Sequence, residues 1–380
     1  MFRLPTVSVT HWRDAKAVLR HEYVRQRLSF YEHHVFKFLG PNNIGFARGS
    51  TWRHYRSSLM RSFGQSTLQR SVQIVLNVAN QAVSSLLRKC DAHTTVILDV
   101  ETLNKIITID IFGEVAFSTC LGGAKTLESS PIATAFEFLG DELIRRIRNP
   151  LSITNNVYFL PTKANRRHKR EQTLLRGFLA ERIQQRKSEP KPIDDMLTSL
   201  METLPGKERE CVASTALEDV LMSLLFAGYD TTSVTLSYAL YLVSLHPQVE
   251  AHILKEVAAP DFGQHPEKLV FLEGVINETL RLYPPAIHTS RSLQKPLEIQ
   301  GGFVIPKETL TMVPIWLIQR NPEFWPRPLE FRPDRWVRQE PSDGCWKPRT
   351  QEDNEDPTKN VNDPDSIPMA NHDAFFAFSA

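Results

Sequence analysis

The residues best equipped for chemistry lie in the middle of an apolar stretch. Leu225-Phe226-Ala227-Gly228-Tyr229-Asp230-Thr231-Thr232 sets a carboxylic acid and two hydroxyls within one helical turn. Two uses fit that spacing. The hydroxyls can bond back to the carbonyls of Ala227 and Gly228 and bend the helix. Alternatively, a small residue lets a ligand approach the backbone while Asp230 and Thr231 pass protons inward. A second group is Glu278 and Arg281, three residues apart and so on one helix face, with Arg335 downstream in Phe331-Arg332-Pro333-Asp334-Arg335-Trp336. A carboxylate between two planar guanidinium forks, if buried, would fix geometry more than it adds stability. A third is Trp52 with Arg56, one turn apart: either the solvated start of an amphipathic helix, or an indole N–H and a cation that together bind a carboxylate. Arg291 could add another cation.

Helices must position these groups. Thr215 with Glu218 reads as a capping box and His246-Pro247 as a stop, which predicts a helix over Ala216–Leu245. At about 45 Å it would cross a domain as a buried element rather than a membrane span. Helical periodicity also marks Gln69–Arg88, Glu101–Phe117, Ala164–Arg186, Asp194–Glu202 and Val270–Leu282. In the last of these, Leu272, Val275, Ile276 and Thr279 form the apolar stripe. Leu297–Gln300 and Phe303–Ile305 flank Gly301-Gly302 as a hairpin, and Thr309–Val313 adds a strand. The fold class is mainly α with a small β part. The segment 338–373 is polar, rich in Pro, Asp and Asn, and reads as a long mobile loop.

Composition narrows the function. With 45 basic and 43 acidic residues in 380, the net charge of +2 excludes a nucleic-acid partner. Cys90, Cys120, Cys211 and Cys345 form no disulfide or zinc framework and read as reduced thiols. Met1-Phe2-Arg3-Leu4-Pro5 opens no signal peptide, and no apolar run reads as a transmembrane anchor. The basic run Lys163–Arg170 reads first as a solvated helix face and second as a dock for an acidic partner.

Taken in order, Trp-x-x-x-Arg, Ala-Gly-x-Asp-Thr-Thr, Glu-x-x-Arg with Leu-Tyr-Pro-Pro, and Arg-Pro-Asp-Arg-Trp resemble the cytochrome P-450 family of haem-thiolate monooxygenases. The resemblance runs from about Val7 to Ala380 and implies a single P450-like domain over 1–380. It implies that Trp52, Arg56 and Arg291 bind the propionates of haem b. Ala227, Gly228, Asp230 and Thr231 would form the oxygen-activating bend, and Glu278, Arg281 and Arg335 a structural triad. An electron-donating reductase and a hydrophobic small-molecule substrate are the implied partners. The loops around His33–Asn43 and Glu137–Tyr158 would set specificity. For eukaryotic members, the endoplasmic reticulum membrane is the implied location.

The family's Phe-x-x-Gly-x-Arg-x-Cys-x-Gly loop is absent from the sequence, and so are the anchor and the first strands. None of the four cysteines lies in that context. From this the chain is expected to hold haem weakly and to be inactive as written. A remnant that no longer keeps haem, or a haem carrier with another axial ligand, are the rival readings.

Overall fold

A computed structural model describes residues 6–21, 23–24, 29–62, 64–90, 95, 97–149, 160–190, 193, 195–203, 212–258, 265–340, 345–349 and 371–377. The chain divides into two compact units, one of Met1–Gln26 with Val234–Ala380 and one of Arg27–Ser233.

In chain order the elements are β1 (Thr6–Ser8), α1 (Trp12–Arg20), β2 (Tyr23–Val24), α2 (Ser29–Leu39), α3 (Gly49–Ser62), α4 (Gln65–Lys89), α5 (Val100–Phe117), α6 (Gly123–Thr126), α7 (Pro131–Arg148), α8 (Lys163–Ser188), α9 (Met196–Thr203), α10 (Val212–Leu245), α11 (Pro247–Val257), α12 (Val270–Leu282), β3 (Thr289–Leu293), β4 (Leu297–Ile299), β5 (Phe303–Ile305), β6 (Leu310–Val313), α13 (Ile315–Ile318), β7 (Val337–Gln339) and β8 (Trp346–Pro348).

The unit of residues 27–233 is helical. In α8, His168, Glu171, Leu175, Leu179 and Ile183 are buried at three- and four-residue spacing, the stripe of a helix with one face on a core. Thr162 caps it, its hydroxyl accepting from the Asn165 amide at 3.1 Å. Ser130 caps α7 in the same way, with Pro131 at the first helical position. Leu221, Met222, Leu225 and Tyr229 of α10 join Phe38, Ile109, Phe136, Leu139, Leu175 and Leu179 in the main core.

In the other unit, a sheet of order β1-β6-β3-β2 is parallel only at β1–β6. The β4–β5 hairpin turns through Gly301 and Gly302, whose φ angles of +81° and +74° favour glycine. Trp325, Val275, Phe271, Val313 and Ile318 lie in the core of this unit.

The structure corrects several expectations. α10 begins at Val212, so Thr215 lies within the helix. Val212, Ala213 and Ser214 contain no helix breaker, and Glu218 is turned toward Arg176 at 3.5 Å. The polar segment from Arg338 does not open as a loop: β7 and β8 pair with Arg338 opposite Lys347, while residues 350–370 lie outside the described ones. On α12 Val275 and Thr279 of the expected stripe are buried, joined by Phe271, Gly274 and Glu278, whereas Leu272 is half-buried and Ile276 is 40% exposed. Turning Glu278 and Arg281 inward rotates the face away from the one that apolar spacing alone predicts.

Two glycines give a contrasting pair of tests. Gly40 has φ +91°, and a Cβ there would lie 1.8 Å from Oδ1 of buried Asp219. Gly177, within α8, has open space around its missing Cβ. Gly40→Ala is expected to cost more than about 2 kcal/mol, and Gly177→Ala to add about 0.5–1 kcal/mol. Chemical denaturation of both variants checks the signs.

Candidate functional site

Glu278 is wholly buried on α12, and five donors converge on it. Arg281 donates through Nε (2.9 Å) and Nη2 (2.8 Å), and Arg335 through Nε (3.0 Å). Trp336 adds its indole N–H (2.9 Å) and Arg332 its backbone amide (3.1 Å). The expected triad is therefore assembled, with one difference. Only Arg281 offers its fork to the carboxylate. Arg335 turns its terminal nitrogens to the carbonyls of Pro326 (2.6 Å) and Arg327 (2.7 Å). The remaining donors of Arg281 reach the carbonyls of Gln319, Pro328 and Glu330.

Burial, with Arg281 close by, lowers the Arg335 guanidinium below its ordinary value against the pull of Glu278. Gly274 makes this approach possible, since a Cβ there would lie 3.1 Å from the Pro333 carbonyl and 3.2 Å from Val337. Sequence reasoning missed Trp336. Its signal was an aromatic donor directly after Arg335.

In the unit of residues 27–233, α10 passes uninterrupted through Ala227–Thr232. The Thr231 hydroxyl donates to the Ala227 carbonyl at 2.7 Å. Leu221, Met222, Leu225, Tyr229 and Ser233 are buried, yet Ala227, Thr231 and Thr232 are exposed. A strip of small side chains thus stands open midway along a core helix. Gly228 faces elsewhere: a Cβ on it would lie 2.8 Å from the Phe112 ring of α5, so its neighbour on that side is a helix.

Burial pushes the Asp230 carboxyl above its ordinary range. Lys105 opposes that shift, while Glu101, Asp141 and Glu137 add to it. Lys105 is itself held between Glu101 (2.7 Å) and Glu137 (2.9 Å). Although burial alone would lower its ammonium, those two bonds raise it.

On α3 the Arg56 guanidinium lies over the Trp52 ring, 5.4 Å from its centre, with Arg56 exposed and Trp52 half-buried. Arg291, in the other unit, sits on β3 opposite Thr311 and donates to the Thr289 hydroxyl and the Ser290 carbonyl, both at 3.0 Å. In the basic run, Arg166 donates to the Pro161 carbonyl, Arg167 lies 4.0 Å from the Phe138 ring centre, and Arg170 pairs with Glu171. Cys90, Cys120 and Cys345 are free and exposed, and Cys211 lies outside the described residues. Among those residues, no helix is long and apolar enough to cross a membrane.

These features have counterparts among known proteins. The family model described as Cytochrome P450 matches residues 1–379. Cytochrome P450 3A29 of Sus scrofa is 27% identical over 358 residues, 88% of this chain and 68% of the relative. Cytochrome P450 3A5 of Homo sapiens is 26% identical, over 90% and 69% of the two chains. Cyclooctat-9-en-7-ol 5-monooxygenase of Streptomyces melanosporofaciens is 26% identical over 78% of this chain and 63% of the relative. The crystal structure of a cytochrome P450 (CYP102L1) superposes with a TM-score of 0.72 at 20% identity, covering 93% of this chain and 78% of that one. The chain belongs to the cytochrome P450 family, whose members are haem-dependent monooxygenases. The mainly helical fold agrees with that membership.

The residues described above fit haem in two respects. Ala227 and Thr231 present small exposed side chains that would not obstruct a flat group laid against α10. Trp52 and Arg56 present an indole and a cation together, suited to a carboxylate.

Two expected outcomes follow from this geometry. Glu278→Gln leaves buried guanidinium donors without their anion and is expected to cost about 3–5 kcal/mol, whereas Trp336→Phe removes one donor and costs about 1 kcal/mol. Thermal melts of both variants check the order. For Asp230, the folded state holds its proton to higher pH than the unfolded chain does. Wild-type stability attributable to this group is therefore present in acid and lost as pH rises through the elevated folded value. Asp230→Asn is expected to melt with wild type near pH 4 and above it at pH 7 to 8. Melting temperatures across that range check the sign.

Proposed function

We propose that the haem-loaded protein inserts one oxygen atom into a hydrophobic small molecule, and that the open strip on α10 is where this chain meets cofactor and substrate. The observation that carries this reading is the exposure of Ala227 and Thr231 beside buried neighbours on the same helix, Leu225, Tyr229 and Ser233. Haem, when bound, supplies dioxygen activation: two electrons and two protons are consumed, one oxygen atom enters the substrate and the other leaves as water.

The chain's own residues supply binding and protons. Trp52 and Arg56, together on α3, hold a propionate. The small side chain of Ala227 leaves room on the open face. Asp230, kept protonated above the ordinary carboxylate range by burial, holds a proton one residue from the Thr231 hydroxyl, which hands it on. Electrons come from a reductase. A single P450-like domain over 1–380 is the organisation this reading uses, and the family match over residues 1–379 supports it.

The test is electron accounting, with a reductase, in haem-loaded protein to which the family's cysteine loop has been supplied. Thr231→Ala is expected to leave the Soret spectrum and haem retention unchanged while the share of electrons released as hydrogen peroxide rises about tenfold. An unchanged peroxide share removes Thr231 from proton delivery. Arg56→Ala is expected to speed haem loss to apomyoglobin by about tenfold, and an unchanged rate removes it from the propionate grip.

A further inference from the structure

Asp219 is wholly buried on α10 and takes no part in the reading above. It lies on the same helix face as Phe226 and Asp230, two and three turns further on. Its carboxylate joins three elements. Oδ1 accepts from Arg176 Nη2 of α8 at 2.9 Å. Oδ2 accepts twice from Asn42, from the backbone N–H at 2.9 Å and from the side-chain amide at 3.0 Å.

Asn42 belongs to the connector 40–48 between α2 and α3, and that connector is built inward from this contact. Gly40 has φ +91°, and any Cβ on it would strike the Asp219 carboxylate, so the chain is pressed directly onto the acid. Buried Asn43 then ties the turn, donating to the Gly40 carbonyl (2.5 Å) and accepting from the Phe46 amide (3.1 Å). α8 grips the same corner a second time, with Gln172 donating to the Lys37 carbonyl.

Inside the connector the Phe46 and Ala47 amides donate to the Asn43 carbonyl at 3.2 and 3.1 Å, turn bonds that depend on where Asn43 is held. The connector carries Ile44, Phe46 and Ala47 against the core that also contains Leu221, Leu225 and Tyr229. Phe46 packs edge-on to Phe36 (5.7 Å), and Phe38, one turn before the connector, packs edge-on to Phe226 (5.4 Å). Phe226 precedes Ala227 and the open strip. The connector's far end leads into α3, which carries Trp52 and Arg56.

We infer that Asp219 is a positioning residue for the ligand side: backed by Arg176, it latches connector 40–48 at Asn42 and so sets how closely this aromatic edge presses on Phe226, the residue that leads into the Ala227–Thr231 strip. The inference rests on the reading of that strip as the cofactor and substrate face. A buried carboxylate suits the task because its two oxygens can take donors from two directions, and because a buried anion requires that those donors stay in place. The latch acts through room rather than contact with the ligand. It should therefore govern discrimination by size, not intrinsic affinity for the cofactor.

Two measurements separate this inference from the reading beneath it. The first is hydrogen–deuterium exchange of the apoprotein, which needs no haem. In Asp219→Asn, and more weakly in Asn42→Ala, amides 43–47 are expected to exchange about tenfold faster while α5 and α8 stay protected. The second uses haem-loaded protein and two azoles, imidazole and 4-phenylimidazole, titrated by the Soret shift. The latch variants are expected to change the ratio of the two dissociation constants by about fivefold while imidazole binding itself changes less than twofold. Asn42 is exposed, so Asn42→Ala keeps the test open if Asp219→Asn does not fold. Unchanged exchange at 43–47 overturns the latch. Faster exchange with an unchanged azole ratio overturns its role in discrimination, leaving a structural contact only. Failure of wild type to give a Soret band counts against the haem reading, while the exchange result still decides the latch.

Discussion

One buried carboxylate organises the unit of residues 1–26 and 234–380. Glu278 cannot lie in an apolar core unless its oxygens are matched, and five donors from α12 and from residues 332–336 match them. The consequence spreads outward. To present Arg335 and Trp336, the chain must reverse at residues 326–335, where Arg327 takes a left-handed φ of +49°. To present Arg281, the 319–330 segment must turn its carbonyls inward, since those carbonyls absorb the rest of the two forks. Irregular backbone that would otherwise bury unmatched carbonyls is thereby fixed without strand or helix pairing. Gln319 extends the same pattern, donating to the carbonyls of Leu280 and Arg281 and accepting from the Phe376 amide at 2.8 Å.

The other unit contains a smaller version of the same device at Asp219. There too an acid buried on a helix fixes irregular chain, the connector 40–48, by accepting its donors. The two differ in reach. Glu278 draws its donors from side chains and a backbone amide of its own unit's long return, whereas Asp219 draws on one helix and one turn. That difference predicts a graded effect: loss of Glu278 disturbs the fold at large, and loss of Asp219 loosens a local segment.

Much of this was legible from residue type and spacing. Val270–Leu282 was bounded correctly because its apolar periodicity stops at Tyr283-Pro284-Pro285. The stop at His246-Pro247 was equally plain. The β4–β5 hairpin showed itself through two adjacent glycines. The start of α10 was misplaced because a capping box is a local pattern, and Glu218 serves Arg176 across the unit. α7 and α11 passed unnoticed despite Pro131 and Pro247 at their first positions, signals that apolar periodicity alone does not weigh. Asp219 was invisible for a different reason. An acid in the first turns of an amphipathic helix reads as solvated, and only the fold shows that Gly40 and Asn42 close over it. At Gly228 the missing side chain accommodates Phe112, while Ala227 is the exposed small residue beside it.

The carboxylates of α10 show how one helix can hold two acids in different settings, a structural one and one proposed to carry protons. Asp219 is enclosed by donors that a proton transfer would have to break. Asp230, three turns on, is placed differently. Burial raises its carboxyl, and the charges that act on it come from Lys105, Glu101, Asp141 and Glu137, groups that extend to the surface on α5 and α7. Glu101 and Glu137 bond Lys105 and remain largely solvent-exposed, so the field on Asp230 is set by groups in contact with water. An acid that holds a proton at higher pH than usual, next to a hydroxyl on an exposed strip, can release that proton toward a bound ligand and recover it from this side. The position of an acid relative to its donors, more than its residue type, separates the anchor from the proposed proton carrier on this helix.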